Sequence, residues 1–202
     1  MSARIVLFDL GNVVVDWRPL LLYRHMFDDL SEAEAFCADV CNMAWHTEHD
    51  RGISMDENAA PLIGKYPQYE KQIRAWKTRW LDMFAGYVPG TPELMARLEE
   101  KRVPLFGLSN LPAEKADETF NAFPMIRILS DVVVSGVEKV VKPDPEIYNI
   151  ALARMGQPNP ADVLFIDDNR NNIVAAKGFG FQTHHFQGSN CLGVDLSKRG
   201  LI

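Results

Sequence analysis

The chain has 202 residues, a length that fits one domain carrying a modest insertion and is enough to bury a sizeable core. Its composition, 47% hydrophobic and 24% charged, is that of a globular protein. A net charge of −6 with no basic block argues against nucleic acid and anionic membrane as partners, so any bound anion must be met by positive charge gathered locally.

The first segment, MSARIVLFDLGNVVVDW, has its apolar run broken by Asp9 and Asp16 and no small-residue cleavage site after it. It reads as neither a signal peptide nor a membrane span, and a cytoplasmic location is expected. Cys37, Cys41 and Cys191 make an odd number in a chain too large to need disulfide staples, which points to reduced thiols. Cys37 and Cys41 stand one helical turn apart without further soft ligands nearby, and read as small core-facing side chains.

In chain order, Arg4–Phe8 is a β-rich apolar run that ends at Asp9. The following stretch, 17–87, has helical periodicity and no clear strand, and predicts four or five inserted helices closed by Pro89-Gly90. A helix is expected over Thr91–Arg102, with Pro92 in its first turn. Pro104–Leu108 is a second strand, ending at Ser109-Asn110, and Asp131–Val134 a third, ending at Ser135. A helix over Asp144–Met155 follows, then a strand over Val163–Ile166 ending at Asp167-Asp168. Asn169–Gly178 predicts another helix and Phe181–Phe186 a fifth strand. Strands this apolar suit burial on both faces, and their alternation with helices predicts an α/β fold with a parallel sheet. Residues 1–16 and 88–202 would form this core, and 17–87 a helical cap.

Ligands of open parallel sheets bind beyond the carboxyl ends of the strands. Polar residues sit at those ends here: Asp9, Ser109, Asn110, Asp167 and Asp168, with Lys142 in the loop after the third strand. A carboxylate such as Asp9 can attack phosphorus, a divalent cation removes the repulsion among converging carboxylates, and oxygen ligation favours Mg²⁺. Blander readings exist for each. Asp9 suits a helix cap or a satisfied buried carboxylate, Ser109-Asn110 and Asp168 or Asn169 suit caps, and Lys142 suits a solvated loop. In the insertion, His46 and Asp50 are four apart and read foremost as an amphipathic helix surface, with a zinc pair, or a substrate-facing role for one or two residues of Trp45–Asp50, as the alternatives. Trp17, Trp76, Trp80 and Phe84 read as core or cap interface, and His184-His185 as alternating residues of an edge strand.

Four segments together resemble a known family. Phe8-Asp9-Leu10-Gly11-Asn12-Val13, Leu108-Ser109-Asn110, Lys142-Pro143-Asp144-Pro145-Glu146-Ile147-Tyr148 and Phe165-Ile166-Asp167-Asp168-Asn169 are similar, in order and spacing, to the four motifs of the haloacid dehalogenase-like superfamily. The resemblance implies a Rossmann-like core with a mobile helical cap. It implies Mg²⁺ held by Asp9, the carbonyl of Gly11 and Asp168, with Asp167 orienting Lys142. It places a small phosphorylated substrate against Asp9, Leu10, Gly11, Ser109, Asn110 and Lys142. Asp167-Asp168 resembles the metal-dependent phosphatases rather than the metal-free 2-haloacid dehalogenases, and the Asp-Leu-Gly-Asn-Val version of the first motif resembles a branch containing a glucose-1-phosphate phosphatase. A phosphate-binding protein with little turnover is a third reading. One departure stands out: most such phosphatases carry a second Asp two residues after the nucleophile as general acid and base, and here that position is Gly11. Asp16 or a water is the expected substitute.

Overall fold

The computed structural model describes residues 3–202. Its strands are β1 (Ile5–Phe8), β2 (Val15–Trp17), β3 (Phe84–Tyr87), β4 (Leu105–Ser109), β5 (Val132–Val134), β6 (Val163–Asp167) and β7 (Gln182–His185). Between β2 and β3 run α1 (Leu20–Tyr23), α2 (Leu30–Asp39), α3 (Met43–Asp50), α4 (Met55–Lys65) and α5 (Glu70–Thr78). The rest are α6 (Thr91–Glu100), α7 (Ala116–Ala122), α8 (Ser135–Glu138), α9 (Pro145–Arg154), α10 (Arg170–Phe179) and α11 (Ser189–Lys198). No helix among the described residues is long and apolar enough to cross a membrane.

Five strands form one sheet in the order β5-β4-β1-β6-β7, and every pairing in it is parallel. The expected α/β architecture is therefore present. Alternation along β1 sends Val6 and Phe8 to one face and Leu7 to the other. The first face packs with Leu94, Met95 and Leu98 of α6 and Leu192 and Leu196 of α11. The second packs with Ile147, Tyr148 and Ala151 of α9 and Ala176 of α10. Because both faces are covered, β6 is buried along its whole length, Val163 to Asp167, which explains its unbroken apolar run.

The inserted helices build a separate core from Leu22, Tyr23, Phe36, Ile73, Trp76, Trp80 and Met83, closed against Leu111, Ala116 and Val134 of the sheet domain. Local signals set its helices. Ser54 and Glu57 form a reciprocal capping box at α4, and Asn42 caps α3 through Trp45 N–H.

Two expectations are corrected. The stretch after β1 is not strand-free: β2 and β3 pair antiparallel, Val15 with Tyr87 and Asp16 with Gly86, and carry the insertion on a two-stranded ribbon. Three- and four-residue strands are too short to show a period of two, and an irregularity between Asp16 and Trp17 breaks it further. Trp17 and Phe84 thus belong to strands. The C-terminal helix α11 was also not foreseen. Its apolar residues Leu192 and Leu196 lie one turn apart, a seam too sparse to stand out.

Trp76 is fully enclosed at 1% exposure. Trp76→Ala is expected to destabilise the protein by about 3–5 kcal/mol in urea denaturation, the range for a large buried aromatic; a loss near zero would show that the insertion adds nothing to global stability.

Candidate active site

The parallel register brings the C-terminal ends of β1, β4 and β6 level, with Phe8 opposite Gly107 on one side and Ile166 on the other. Asp9 leaves β1 at this edge, Ser109 ends β4, and Asp167 ends β6. They line or border a cavity of about 420 Å³ between the sheet edge and the insertion. Its walls include Leu10, Gly11, Asn12, Ser109, Asn110, Lys142 and Asp168.

Lys142 is the centre of the arrangement. Its side chain is 1% exposed, and its Nζ lies 2.8 Å from Asp9 Oδ1 and 2.8 Å from Asp167 Oδ2. Nζ also donates to the Leu108 carbonyl at 2.9 Å. The reading of Lys142 as a solvated loop lysine is thereby excluded. Burial alone would lower its pKa, but the carboxylates of Asp167 and Asp9 outweigh it and hold the ammonium charged well above the ordinary range. Asn110 fixes this loop: its Oδ1 accepts from Lys142 N–H at 2.8 Å and its Nδ2 donates to the Lys142 carbonyl at 3.1 Å. Neither Ser109 nor Asn110 caps a helix; Asn169 caps α10 through Asn171 N–H.

Asp167 is fully buried and saturated. Oδ2 takes Lys142 and Asn172 Nδ2, and Oδ1 takes Asn169 N–H and Asn172 Nδ2. Asn172 belongs to the fourth motif region, yet its role as clamp on Asp167 was not foreseen. It is read only once α10 turns it back over the strand end. Tyr148 of α9 braces Asn172 in turn, donating to its carbonyl at 3.1 Å.

Asp9, Asp167 and Asp168 each place a carboxylate oxygen within 4.8 Å of the others. Burial raises the Asp9 pKa well above the carboxylate range, with Lys142 opposing and Asp167 and Asp168 adding to the rise. Asp168 is raised by burial and then by Asp167. Three carboxylates face one ammonium, and Lys142 is the single Lys or Arg lining the cavity among the described residues. Such an oxygen-rich, under-neutralised cluster fits a hard divalent cation. Since Asp167 is committed to Lys142 and Asn172, Asp9 and Asp168 are the carboxylates with capacity for it.

The roof of the cavity comes from the insertion. Met43, His46, Thr47 and Asp50 of α3 line it beside Trp17, Trp80 and Phe84. The expectation that His46 and Asp50 form a helix surface is corrected: their side chains are 4% and 5% exposed, with His46 Nε2 3.5 Å from Asp50 Oδ2. Amphipathic spacing locates a polar face but not what covers it. Burial, then His49, lowers the His46 pKa to about 3, and burial raises Asp50 to about 8 against the pull of Lys142. At neutral pH both are uncharged, and the contact is not an ion pair. Asp16 is also corrected as a site residue. It lies between the cavity-lining Val15 and Trp17, but its own carboxylate is paired with Arg18 at 2.8 Å and does not line the cavity. On β7, His184 is paired with Asp195, while His185 Nε2 donates to the Asp168 carbonyl at 2.9 Å.

Residues 3–180 match the family model described as haloacid dehalogenase-like hydrolase. The chain belongs to that family. A phosphorylated carbohydrates phosphatase of Thermotoga maritima is 24% identical over 179 residues, 88% of this chain and 82% of that protein. An (S)-2-haloacid dehalogenase 4A of Burkholderia cepacia is 32% identical over 95 residues, 47% of this chain and 41% of that one. Among solved structures, a haloacid dehalogenase-like enzyme of Bacteroides thetaiotaomicron in complex with magnesium and inorganic phosphate superposes with a TM-score of 0.69 at 22% identity, covering 93% of this chain and 96% of that chain.

Two predictions follow from the buried charges. Lys142→Met, which strands Asp9 and Asp167 without their cation, is expected to lower stability at neutral pH by about 3–5 kcal/mol in denaturant titrations. Asp50 is held protonated when folded and is ionised when unfolded, so its contribution to stability is full below pH 4 and is lost as pH rises to about 8. Asp50→Asn, which mimics the neutral acid, is therefore expected to gain in melting temperature relative to the parent between pH 4 and pH 8; parallel curves would contradict the buried neutral carboxyl.

Proposed function

We propose that this protein is a magnesium-dependent phosphatase of small phosphomonoesters, acting through an aspartyl-phosphate on Asp9, with sugar phosphates as the favoured class. The observation that carries the reading is the cluster at the sheet edge, in which Lys142 Nζ lies 2.8 Å from both Asp9 and Asp167 and Asp168 stands within ligand distance of Asp9. Asp9, Asp168 and the carbonyl of Gly11 would hold Mg²⁺. Bound there, the ion neutralises the carboxylates and draws charge from a phosphate oxygen.

In this reading Asp9 attacks phosphorus and the ester oxygen leaves. Lys142 stabilises the charge on the transferring phosphoryl group, and Ser109 donates to one of its oxygens. Asn110 and Asp167 act through Lys142, one holding its backbone and the other its ammonium. Water then releases phosphate from Asp9. Residues 17–87 serve as a cap that excludes bulk water and selects the substrate. Support for a sugar comes from the cavity, which is lined by Trp17, Trp80 and Phe84 together with Asn12, Thr47 and Asn171, a mixture of aromatic and hydrogen-bonding residues suited to a polyol ring. The Thermotoga maritima relative, named for phosphorylated carbohydrates, agrees with it.

A 2-haloacid dehalogenase is the second reading, favoured by the Burkholderia cepacia relative. The under-neutralised cluster of Asp9, Asp167 and Asp168 speaks against it, because attack on carbon gives no use for a metal. The expected result is phosphate release from sugar phosphates that stops with a chelator, returns with Mg²⁺ and falls by about 10³-fold or more in Asp9→Asn. Halide release from 2-chloropropionate that persists in a chelator would overturn the phosphatase reading.

A further inference from the structure

The reaction proposed above lacks a proton donor for the leaving oxygen, because position 11 is glycine. The geometry narrows where one can come from. In-line displacement puts the leaving group on the side of phosphorus opposite the nucleophile. Asp9 attacks from the sheet edge, so the leaving oxygen faces the roof made by α3 and the β2–β3 ribbon. The acids and bases lining the cavity among the described residues are Asp9, Lys142, Asp168, His46 and Asp50. The first three are committed to the nucleophile, the phosphoryl charge and the metal. The remaining two are both on the roof.

We propose that Asp50 is the general acid and base of this enzyme, donating its proton to the leaving oxygen from the insertion side, with His46 as the residue that positions it. This rests on the phosphatase reading. Four observations support it. The Asp50 carboxyl is buried and lines the cavity, and its Oδ1 has no hydrogen-bond partner. Few buried polar atoms in a native fold go unpartnered, and a catalytic role is one reason for such an exception. Its Oδ2 is 3.5 Å from His46 Nε2, so the two side chains are neighbours on one face of α3. Two residues beyond Asp50 the chain packs closely against the sheet domain, where a Cβ on Gly52 would lie 2.9 Å from the Gly136 carbonyl. Burial raises it to about 8 against Lys142, the one group across the cavity whose charge it feels, so that it carries a proton at neutral pH while His46 remains neutral. His49 lies on the same helix, and Asp9 and Asp168 share the cavity.

The step balances. As a bond forms from Asp9 to phosphorus, the phosphorus–oxygen bond of the ester breaks, and the Asp50 proton passes to the departing oxygen, giving a neutral alcohol and an Asp50 carboxylate. Water next attacks phosphorus, the bond to Asp9 breaks, and the water proton returns to Asp50. Position 11 has room for a competing solution: a Cβ there meets nothing within 4 Å.

The test compares leaving groups in the presence of Mg²⁺. Asp50→Asn is expected to lose about 10²–10⁴-fold in kcat/KM on a primary alkyl phosphate, whose alkoxide needs a proton, and to stay within a few-fold on 4-nitrophenyl phosphate, whose phenolate does not. The parent's kcat/KM on the alkyl ester should fall as pH rises through about 8, and the variant should lack that limb. Gly11→Asp in the Asp50→Asn background should recover alkyl phosphate turnover. Equal losses on both substrates would make Asp50 a binding or structural residue and overturn the proposal, as would no loss on either. A parent that releases phosphate from neither substrate class overturns the phosphatase reading itself, a result distinct from an active parent with an indifferent Asp50→Asn.

Discussion

The buried ammonium of Lys142 is what lets three carboxylates meet at one sheet edge. Without it, Asp9, Asp167 and Asp168 would repel one another in a setting where burial already disfavours charge. With it, Asp9 and Asp167 share a cation at 2.8 Å on each side, and the chain end of β4 is tied in through the Leu108 carbonyl. A buried charge is sustained only when its donors are satisfied, and here the satisfaction extends outward: Asn110 holds the Lys142 backbone, Asn172 holds Asp167, and Tyr148 holds Asn172. The polar network thus joins the ends of β1, β4 and β6 to α9 and α10. The parallel register sets the strand tips level, and Asn110 holds the loop that carries Lys142 against them.

The insertion answers a different need. The sheet edge gathers the charged side chains and leaves the opposite side of the cavity to be covered. The roof closes that side with aromatic surface and with His46 and Asp50, two groups kept neutral by burial. Charge is therefore sorted by layer, with ions at the floor and neutral polar groups above. Under the proposed function, this division suits an anionic phosphoryl group held below and an uncharged alcohol departing upward.

Much of the floor was legible in the sequence because the strands are apolar through their length and polar at their tips. Ile5–Phe8 before Asp9, Leu105–Leu108 before Ser109, and Val163–Ile166 before Asp167-Asp168 each announce both a buried strand and a polar residue at its tip. The roof was less legible. Nothing in Trp45-His46-Thr47-Glu48-His49-Asp50 distinguishes a face turned to water from one turned to a cavity, since burial of α3 depends on partners remote in the chain. The β2–β3 ribbon escaped notice because its pairing joins residues far apart in sequence and spans too few residues to leave a periodic trace. Asp16 illustrates the same limit: its proximity to strand one is real, but Arg18 claims its carboxylate.

That ribbon has an architectural consequence. Because β2 and β3 lie side by side, the chain departs from the sheet domain and comes back to it through neighbouring positions, Val15 next to Tyr87. Everything between is an excursion whose two ends are already pinned together. Lengthening or shortening such an excursion carries only the slowly growing entropy of a longer closed loop. Under the proposed function, the helices above the ribbon can change in length for a new ligand, while the strand tips below keep the spacing that the sheet register gives them.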